Sequence, residues 1–132
     1  FRIGTIKHAH HGFALDQQGK DSSRHRAAGA DATIVSGPGT MAMVRDQPDG
    51  SLAALVSYFE DMDLIIVEGF KRENQPKIEV CRAANNKSPI DPPLTHLIAQ
   101  VTDMEIDRDL PTFGLEDIKA LADLIENNYL ST

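Results

Sequence analysis

The stretch that decides the fold is DLIIVEGFKRE, residues 63–73. Four consecutive apolar residues, Leu64 to Val67, predict a buried β-strand, and the carboxylate of Glu68 follows them directly. An ionised carboxylate at the end of a buried strand is costly unless it is paired, hydrogen-bonded or bound to a metal. Glu68 is therefore the first candidate functional residue. Gly69 would then let the backbone turn close to a bound ligand.

Further strand patterns lie on both sides of this stretch. Residues 2–8, 32–36 and 95–103 are rich in β-branched and other apolar residues, and in residues 76–82 the apolar Ile78 and Val80 alternate with polar residues. The turn sequence GPGT at 37–40 predicts that residues 32–36 and 41–46 form a hairpin.

Helical patterns separate the strands. Residues 22–31 predict a short helix capped by Asp21 or Ser22 and ended by Gly29. Ser51 predicts the start of a second helix, and the last predicted helix faces the core along one stripe formed by Leu115, Ile118, Leu121, Ala122 and Ile125. Alternating strands and helices favour an α/β fold, with a mostly parallel sheet covered by helices on both faces.

Size and composition limit the classes of protein. The 132 residues suit a single domain, and the contents of 41% apolar and 25% charged residues are ordinary for a globular chain. A net charge of −7 argues against broad nucleic-acid binding, and no apolar run is long enough to span a membrane. The single cysteine, Cys81, predicts a small core residue and a reducing compartment, so we expect a cytoplasmic protein.

Chemically useful residues follow three of the predicted strands. They are Lys7 to His11 after the first strand, Glu68 with Gly69, and Thr102 with Asp103. Ligands of open parallel sheets bind at the carboxyl ends of the strands, so these residues predict a phosphate or metal site at one edge.

The histidine segment KHAHHG, residues 7–12, also admits a metal site. Zinc needs three or four ligands in a tetrahedral array, and no cysteine pair accompanies His8, His10 and His11. Contact with phosphate or structural hydrogen bonding is the favoured interpretation. The nearby GKDS, residues 19–22, lacks the spacing of a phosphate loop, so Asp21 either caps a helix or approaches magnesium through water.

Together these motifs resemble the family of molybdopterin-guanine dinucleotide biosynthesis protein B (MobB), a branch of the phosphate-loop GTP-binding proteins. The resemblance covers almost the whole chain and rests on the order of five segments: TIKHAHH (5–11), GKDSSRHRAAGAD (19–31), DLIIVEGFKRE (63–73), PKIEV (76–80) and LIAQVTD (97–103).

The resemblance implies a GTP-binding homodimer that assists the guanylyltransferase joining GMP to molybdopterin, with slow GTP hydrolysis at most. It implies GTP and Mg²⁺ as cofactors. Glu68 and Asp21 would lie on the metal side, and the nucleotide would contact Lys7, His8, Gly69, Thr102 and Asp103. The hairpin at 36–46 is a candidate dimer contact.

One departure from the family pattern is large, because the strand, glycine-rich loop and helix with which the family opens have no counterpart in residues 1–132. We therefore expect a single but incomplete P-loop NTPase-like domain, inactive by itself, with a further segment before Phe1. The sheet would lack a central strand. Two alternative functions remain: a GTP-dependent metallochaperone that uses His8, His10 and His11, or an interaction module that uses no nucleotide.

Overall fold

The computed structural model describes residues 1–9, 11–13, 17–47, 50–85 and 88–130. The strands in this part of the chain are β1 Ile3–Lys7, β2 Ala32–Gly37, β3 Thr40–Arg45, β4 Leu64–Glu68, β5 Lys77–Cys81, β6 Leu97–Thr102 and β7 Thr112–Phe113. The helices are α1 Asp21–Ala27, α2 Leu52–Val56 and α3 Ile118–Ile125, with 3₁₀ turns at Ser57–Phe59 and Ala83–Asn85 and a π-helical turn at Glu126–Leu130.

The strands confirm the predicted α/β class with parallel pairing. β1 pairs with β4 in parallel from Ile3 beside Leu64 to Lys7 beside Glu68, and β5, β6 and β7 form a second parallel sheet in that order. Within the described ranges these are two sheets rather than one. β2 and β3 form the predicted antiparallel hairpin.

The β1–β4 sheet is covered on one face only. Ile6 is buried there, and a side chain at Gly4 would place its Cβ 2.5 Å from the Phe59 ring. Phe59 closes the helical segment that begins at α2, where Ser51 Oγ accepts a hydrogen bond from Ala54 N as the sequence predicts. The other face is open, because Ile66 is 50% exposed. The prediction that β4 is a buried strand is therefore wrong for this face.

The second sheet contains most of the buried residues. On β6, Ala99 and Val101 are buried on one face, while Gln100 and Thr102 are buried on the other. On the neighbouring β5, the face that carries Glu79 and Cys81 is buried, whereas Val80 on the opposite face is 64% exposed. Cys81 is thus the small core residue that the sequence predicts.

Two helix predictions need correction. The N-cap position of α1 is Lys20, whose side chain makes no capping hydrogen bond, and Asp21 is the first helical residue rather than the cap. Gly29 ends the helix as expected, with φ of +101° and its N–H donating to Arg26 O.

The apolar stripe of α3 does not face a core, because α3 has no buried residues and Ile118 is 71% exposed. In the described part of the chain, no helix has both the length and the apolar character needed to cross a bilayer.

Candidate functional site

The carboxyl ends of β1 and β4 place Lys7 directly beside Glu68. Lys7 Nζ lies 2.8 Å from both carboxylate oxygens of Glu68. The two side chains are 70% and 71% exposed, so Glu68 is an ion-paired surface residue and not a buried charge. An exposed pair of this kind contributes only about 0–1 kcal/mol to stability, so a competing ligand can displace it at small cost.

The turn after Glu68 is tightly packed against β1. His8 N donates to Glu68 O at 2.9 Å, and Gly69 has φ of +101°. A Cβ at Gly69 would lie 2.7 Å from the Cβ of His8, so a larger residue would clash there. Phe70, with φ of +49°, stacks on the His8 ring at a centroid distance of 4.5 Å and an interplanar angle of 22°. Lys7 and Glu68 are therefore flanked by a stacked aromatic pair.

The end of β6 carries the second group of predicted site residues. Thr102 is buried, and its Oγ1 accepts a hydrogen bond from Met104 N at 3.0 Å. Asp103 is exposed, and its Oδ1 accepts one from Ala83 N at 2.7 Å. Asp103 therefore links the segment that follows β6 to the segment that follows β5.

The remaining candidates are placed separately. Asp21 lies in the first turn of α1, with Oδ1 3.8 Å from Arg24 Nη1. His8 and His11 are exposed, and His10 lies outside the described residues. Across the described ranges, no cluster of three or more His, Cys, Asp or Glu side chains is arranged to hold a metal.

A buried ion pair on β5 is absent from the sequence predictions. Glu79 Oε2 lies 2.5 Å from Arg108 Nη1, and the two side chains are only 6% and 14% exposed. Glu79 Oε1 accepts a hydrogen bond from Ile90 N at 2.7 Å, and Arg108 Nη2 donates to Ile90 O at 2.6 Å. The available signal was an acid between the apolar Ile78 and Val80, which is weaker than the uninterrupted apolar run that precedes Glu68.

This ion pair also affects the neighbouring thiol. Burial raises the pKa of Cys81, the charge of Glu79 raises it further, and the charge of Arg108 opposes the rise. Cys81 therefore remains a neutral thiol at physiological pH, which suits a packing role rather than a reactive one.

Apart from Asp21, the predicted site residues thus form two groups on different sheets. Lys7, His8, Glu68 and Gly69 lie at the carboxyl end of β1–β4, and Thr102 and Asp103 lie at the carboxyl end of β6. The first group combines an exposed cation and an exposed carboxylate, which can bind anionic and cationic ligand groups respectively. The second group offers an exposed carboxylate acceptor.

Known proteins provide an independent comparison. Residues 1–103 match the family model described as molybdopterin guanine dinucleotide synthesis protein B. A molybdopterin-guanine dinucleotide biosynthesis adapter protein from Escherichia coli (strain K12) is 36% identical over 130 residues, covering 94% of this chain and 74% of the relative. One of the same name from Haemophilus influenzae is 34% identical over 129 residues, covering 96% of this chain and 72% of the relative.

Solved structures show the same fold. The crystal structure of a MobB protein homologue from Bacillus stearothermophilus superposes with a TM-score of 0.68 at 24% identity, covering 99% of this chain and 79% of the other. The matched family model spans more than half of the 132 residues, and the two relatives align over nearly all of them. The chain belongs to the MobB family of molybdopterin guanine dinucleotide synthesis proteins.

Proposed function

We propose that this chain is an adapter in molybdopterin guanine dinucleotide biosynthesis that binds GTP with Mg²⁺ and assists the guanylyltransferase. Its relatives from E. coli and H. influenzae are named as adapter proteins of this biosynthesis, which supports the adapter role. The observation that carries the nucleotide part is the Lys7–Glu68 pair, since it places opposite charges side by side at the carboxyl ends of two parallel strands.

The exposed pair fits part of a magnesium–phosphate site. Magnesium at nucleotide sites takes one or two carboxylates and completes its shell with phosphate oxygens and waters. Glu68 would supply a carboxylate, with Asp21 as the second candidate, and Lys7 would contact phosphate oxygens. When bound, the metal would neutralise charge on the phosphates. Lys7 and Glu68 already neutralise each other, so ligand binding would exchange one ion pair for two interactions of the same kind.

The end of β6 is the proposed base-recognition end of the site. Guanine presents N–H donors on its Watson–Crick edge, and an ionised carboxylate is purely an acceptor. Asp103 supplies such an acceptor and Thr102 shapes the turn that carries it. In this arrangement the anionic phosphates would lie near the cationic Lys7. The neutral base would lie near the carboxylate of Asp103, which would repel phosphate.

Calorimetric titration of the full-length protein with GTP tests this function, with and without Mg²⁺. We expect Mg²⁺-dependent binding of GTP in preference to ATP, weakened about tenfold or more (about 1.4 kcal/mol) by Glu68→Gln. Glu116→Gln, which alters an exposed acid near α3, is the matched control and should leave binding unchanged. An absence of GTP binding, or equal binding of ATP, would contradict the nucleotide assignment. Cofactor maturation unaffected by Glu68→Gln would favour an interaction module instead.

A homodimer through the β2–β3 hairpin is the second part of the proposal. Ile34 and Met41 share one face of this hairpin and are 59% and 62% exposed, which is unusual for large apolar side chains close together. Light scattering coupled to size exclusion should report a dimer that Met41→Glu weakens. Ile118→Glu, which replaces an apolar residue of similar exposure on α3, is the control. A monomeric wild type, or a dimer insensitive to Met41→Glu, would contradict the hairpin contact.

A further inference from the structure

We infer that Glu79 and Arg108 are positioning residues for base recognition: their buried ion pair holds the segment that carries Asp103. We call Glu79, Arg108 and the backbone of Ile90 the charged brace. The inference rests on the proposed function for the identity of the ligand. The geometry of the charged brace stands independently of that function.

The charged brace joins three separate parts of the chain. Glu79 lies on β5, Ile90 lies in the connection from β5 to β6, and Arg108 lies in residues 103–111, which connect β6 to β7. Arg108 uses two nitrogens at once, one on the Glu79 carboxylate and one on Ile90 O. A planar guanidinium can hold two partners in fixed directions, so the brace fixes orientation as well as distance.

Residues 103–111 are held at three points. Asp103 Oδ1 accepts from Ala83 N at the first end, and Pro111 O accepts from Gln100 N at the other. Arg108 anchors the middle through the charged brace. Asp103 begins the segment whose middle Arg108 anchors. We therefore expect a movement of this middle part to be transmitted along the backbone and to turn the Asp103 carboxylate.

The charge pattern explains why position matters here. Residues 103–111 expose four acids and contain one base, Arg108, whose side chain points inward. The exposed acids are Asp103, Glu105, Asp107 and Asp109. The negative charge of this segment repels phosphate and attracts hydrogen-bond donors of any base, so the charge alone does not distinguish one base from another. Discrimination between bases must then come from the exact direction of one acceptor, which the charged brace sets.

Asp103 has an oxygen available for this role. Oδ1 is occupied by Ala83 N, while Oδ2 has no hydrogen bond within the described ranges. Guanine carries an exocyclic amine that hypoxanthine lacks, so the preference for GTP over ITP reports directly on this acceptor. Inorganic tripolyphosphate has no base and reports on the phosphate end alone.

Arg108→Lys tests the inference, since lysine keeps the charge but cannot bridge Glu79 and Ile90 O with a rigid fork. Affinities of the full-length protein for GTP, ITP and tripolyphosphate are measured by calorimetry with Mg²⁺. We expect the preference for GTP over ITP to fall about fivefold or more, which corresponds to about 1 kcal/mol, while tripolyphosphate affinity stays within about twofold. Lys119→Met, which removes an exposed lysine paired with Asp123, is the control and should change neither.

A second variant, Glu79→Gln, tests the same inference if Arg108→Lys does not fold. Glu79→Gln keeps the shape and an acceptor oxygen but removes the charge that holds Arg108, so it should lower the same preference. Hydrogen exchange of the ligand-free variants should rise at the amides of Ile90 and Ala83, which the brace and Asp103 protect.

The outcomes separate the two proposals. If wild type prefers GTP and folded Arg108→Lys keeps that preference, the inference is wrong and the proposed function stands. If Arg108→Lys weakens all three ligands equally, the charged brace is structural only, and the positioning role is wrong. If wild type binds no GTP at all, the proposed function fails first, and the ligand part of the inference fails with it.

Discussion

In the described part of the chain, two glutamates are paired with cations, Glu68 on β4 and Glu79 on β5 in the other parallel sheet, and the two pairs differ mainly in burial. Glu68 pairs with Lys7 at 2.8 Å with both side chains about 70% exposed. Glu79 pairs with Arg108 at 2.5 Å with both side chains nearly buried. The first pair also lies at the end of a sheet with one open face, whereas the second lies beneath two connecting segments.

This difference in burial means that the Lys7–Glu68 pair can be broken at little cost, whereas the Glu79–Arg108 pair cannot. In water the Lys7–Glu68 attraction is screened, so either partner can be exchanged for a ligand at little cost. For the buried pair, removal of one partner leaves the other charge buried and unpaired, which costs several kcal/mol of stability. The exposed pair therefore suits ligand binding, and the buried pair suits the fixing of structure.

Arg108→Met is the substitution expected to have the largest effect on stability. It leaves the Glu79 carboxylate buried without its cation and removes the donor to Ile90 O, so the free energy of unfolding should fall by about 3–5 kcal/mol. Urea denaturation followed by circular dichroism measures the change. Lys119→Met serves as control, because the Lys119–Asp123 pair is exposed. A loss below about 1 kcal/mol would show that the two glutamate pairs do not differ as their burial implies.

The same contrast marks how far the sequence predicts the structure. Glycine turns, the Ser51 cap and the β2–β3 hairpin were predictable because each depends on residues close together in the chain. Which face of a strand is covered depends on distant residues. Ile66 is exposed since Phe59 covers only the opposite face of the β1–β4 sheet, and Glu79 is buried because Arg108, 29 positions later, neutralises it.

The candidate site shows the same division. The placement of Lys7, Glu68, Thr102 and Asp103 at the carboxyl ends of strands was predictable from strand boundaries. The pairing of Lys7 with Glu68 and the bond from Ala83 N to Asp103 were not, since each joins residues at least 20 positions apart. The Glu79–Arg108 pair was missed because Arg108 lies among four acids and looks like a solvated surface residue.

Gly69→Ala should lower the free energy of unfolding by an intermediate amount. It tests whether the turn after Glu68 or the Lys7–Glu68 pair contributes more to stability. The backbone of Gly69 has φ of +101°, and an added Cβ would lie 2.7 Å from the Cβ of His8. Strain of this kind costs about 1–3 kcal/mol, so the turn after Glu68 should contribute more to stability than the ion pair itself. Urea denaturation again provides the measurement.

Gly29→Ala is the matched control for this substitution. Gly29 has the same φ, +101°, but a Cβ there would meet nothing within 4 Å. The excess cost of Gly69→Ala over Gly29→Ala therefore measures the contact with His8. Equal costs would show that the close approach of β1 to this turn has no energetic consequence.

Lys7→Met should have the smallest effect on stability and completes the comparison. It breaks a pair with good geometry, yet both side chains are exposed, so the free energy of unfolding should change by only about 0–1 kcal/mol. Methionine keeps most of the length of the apolar stem, so packing against β4 changes little. If Lys7→Met instead destabilises the chain as strongly as Arg108→Met, the Lys7–Glu68 pair has a structural role. It could then no longer be regarded as free to exchange its partners for a ligand.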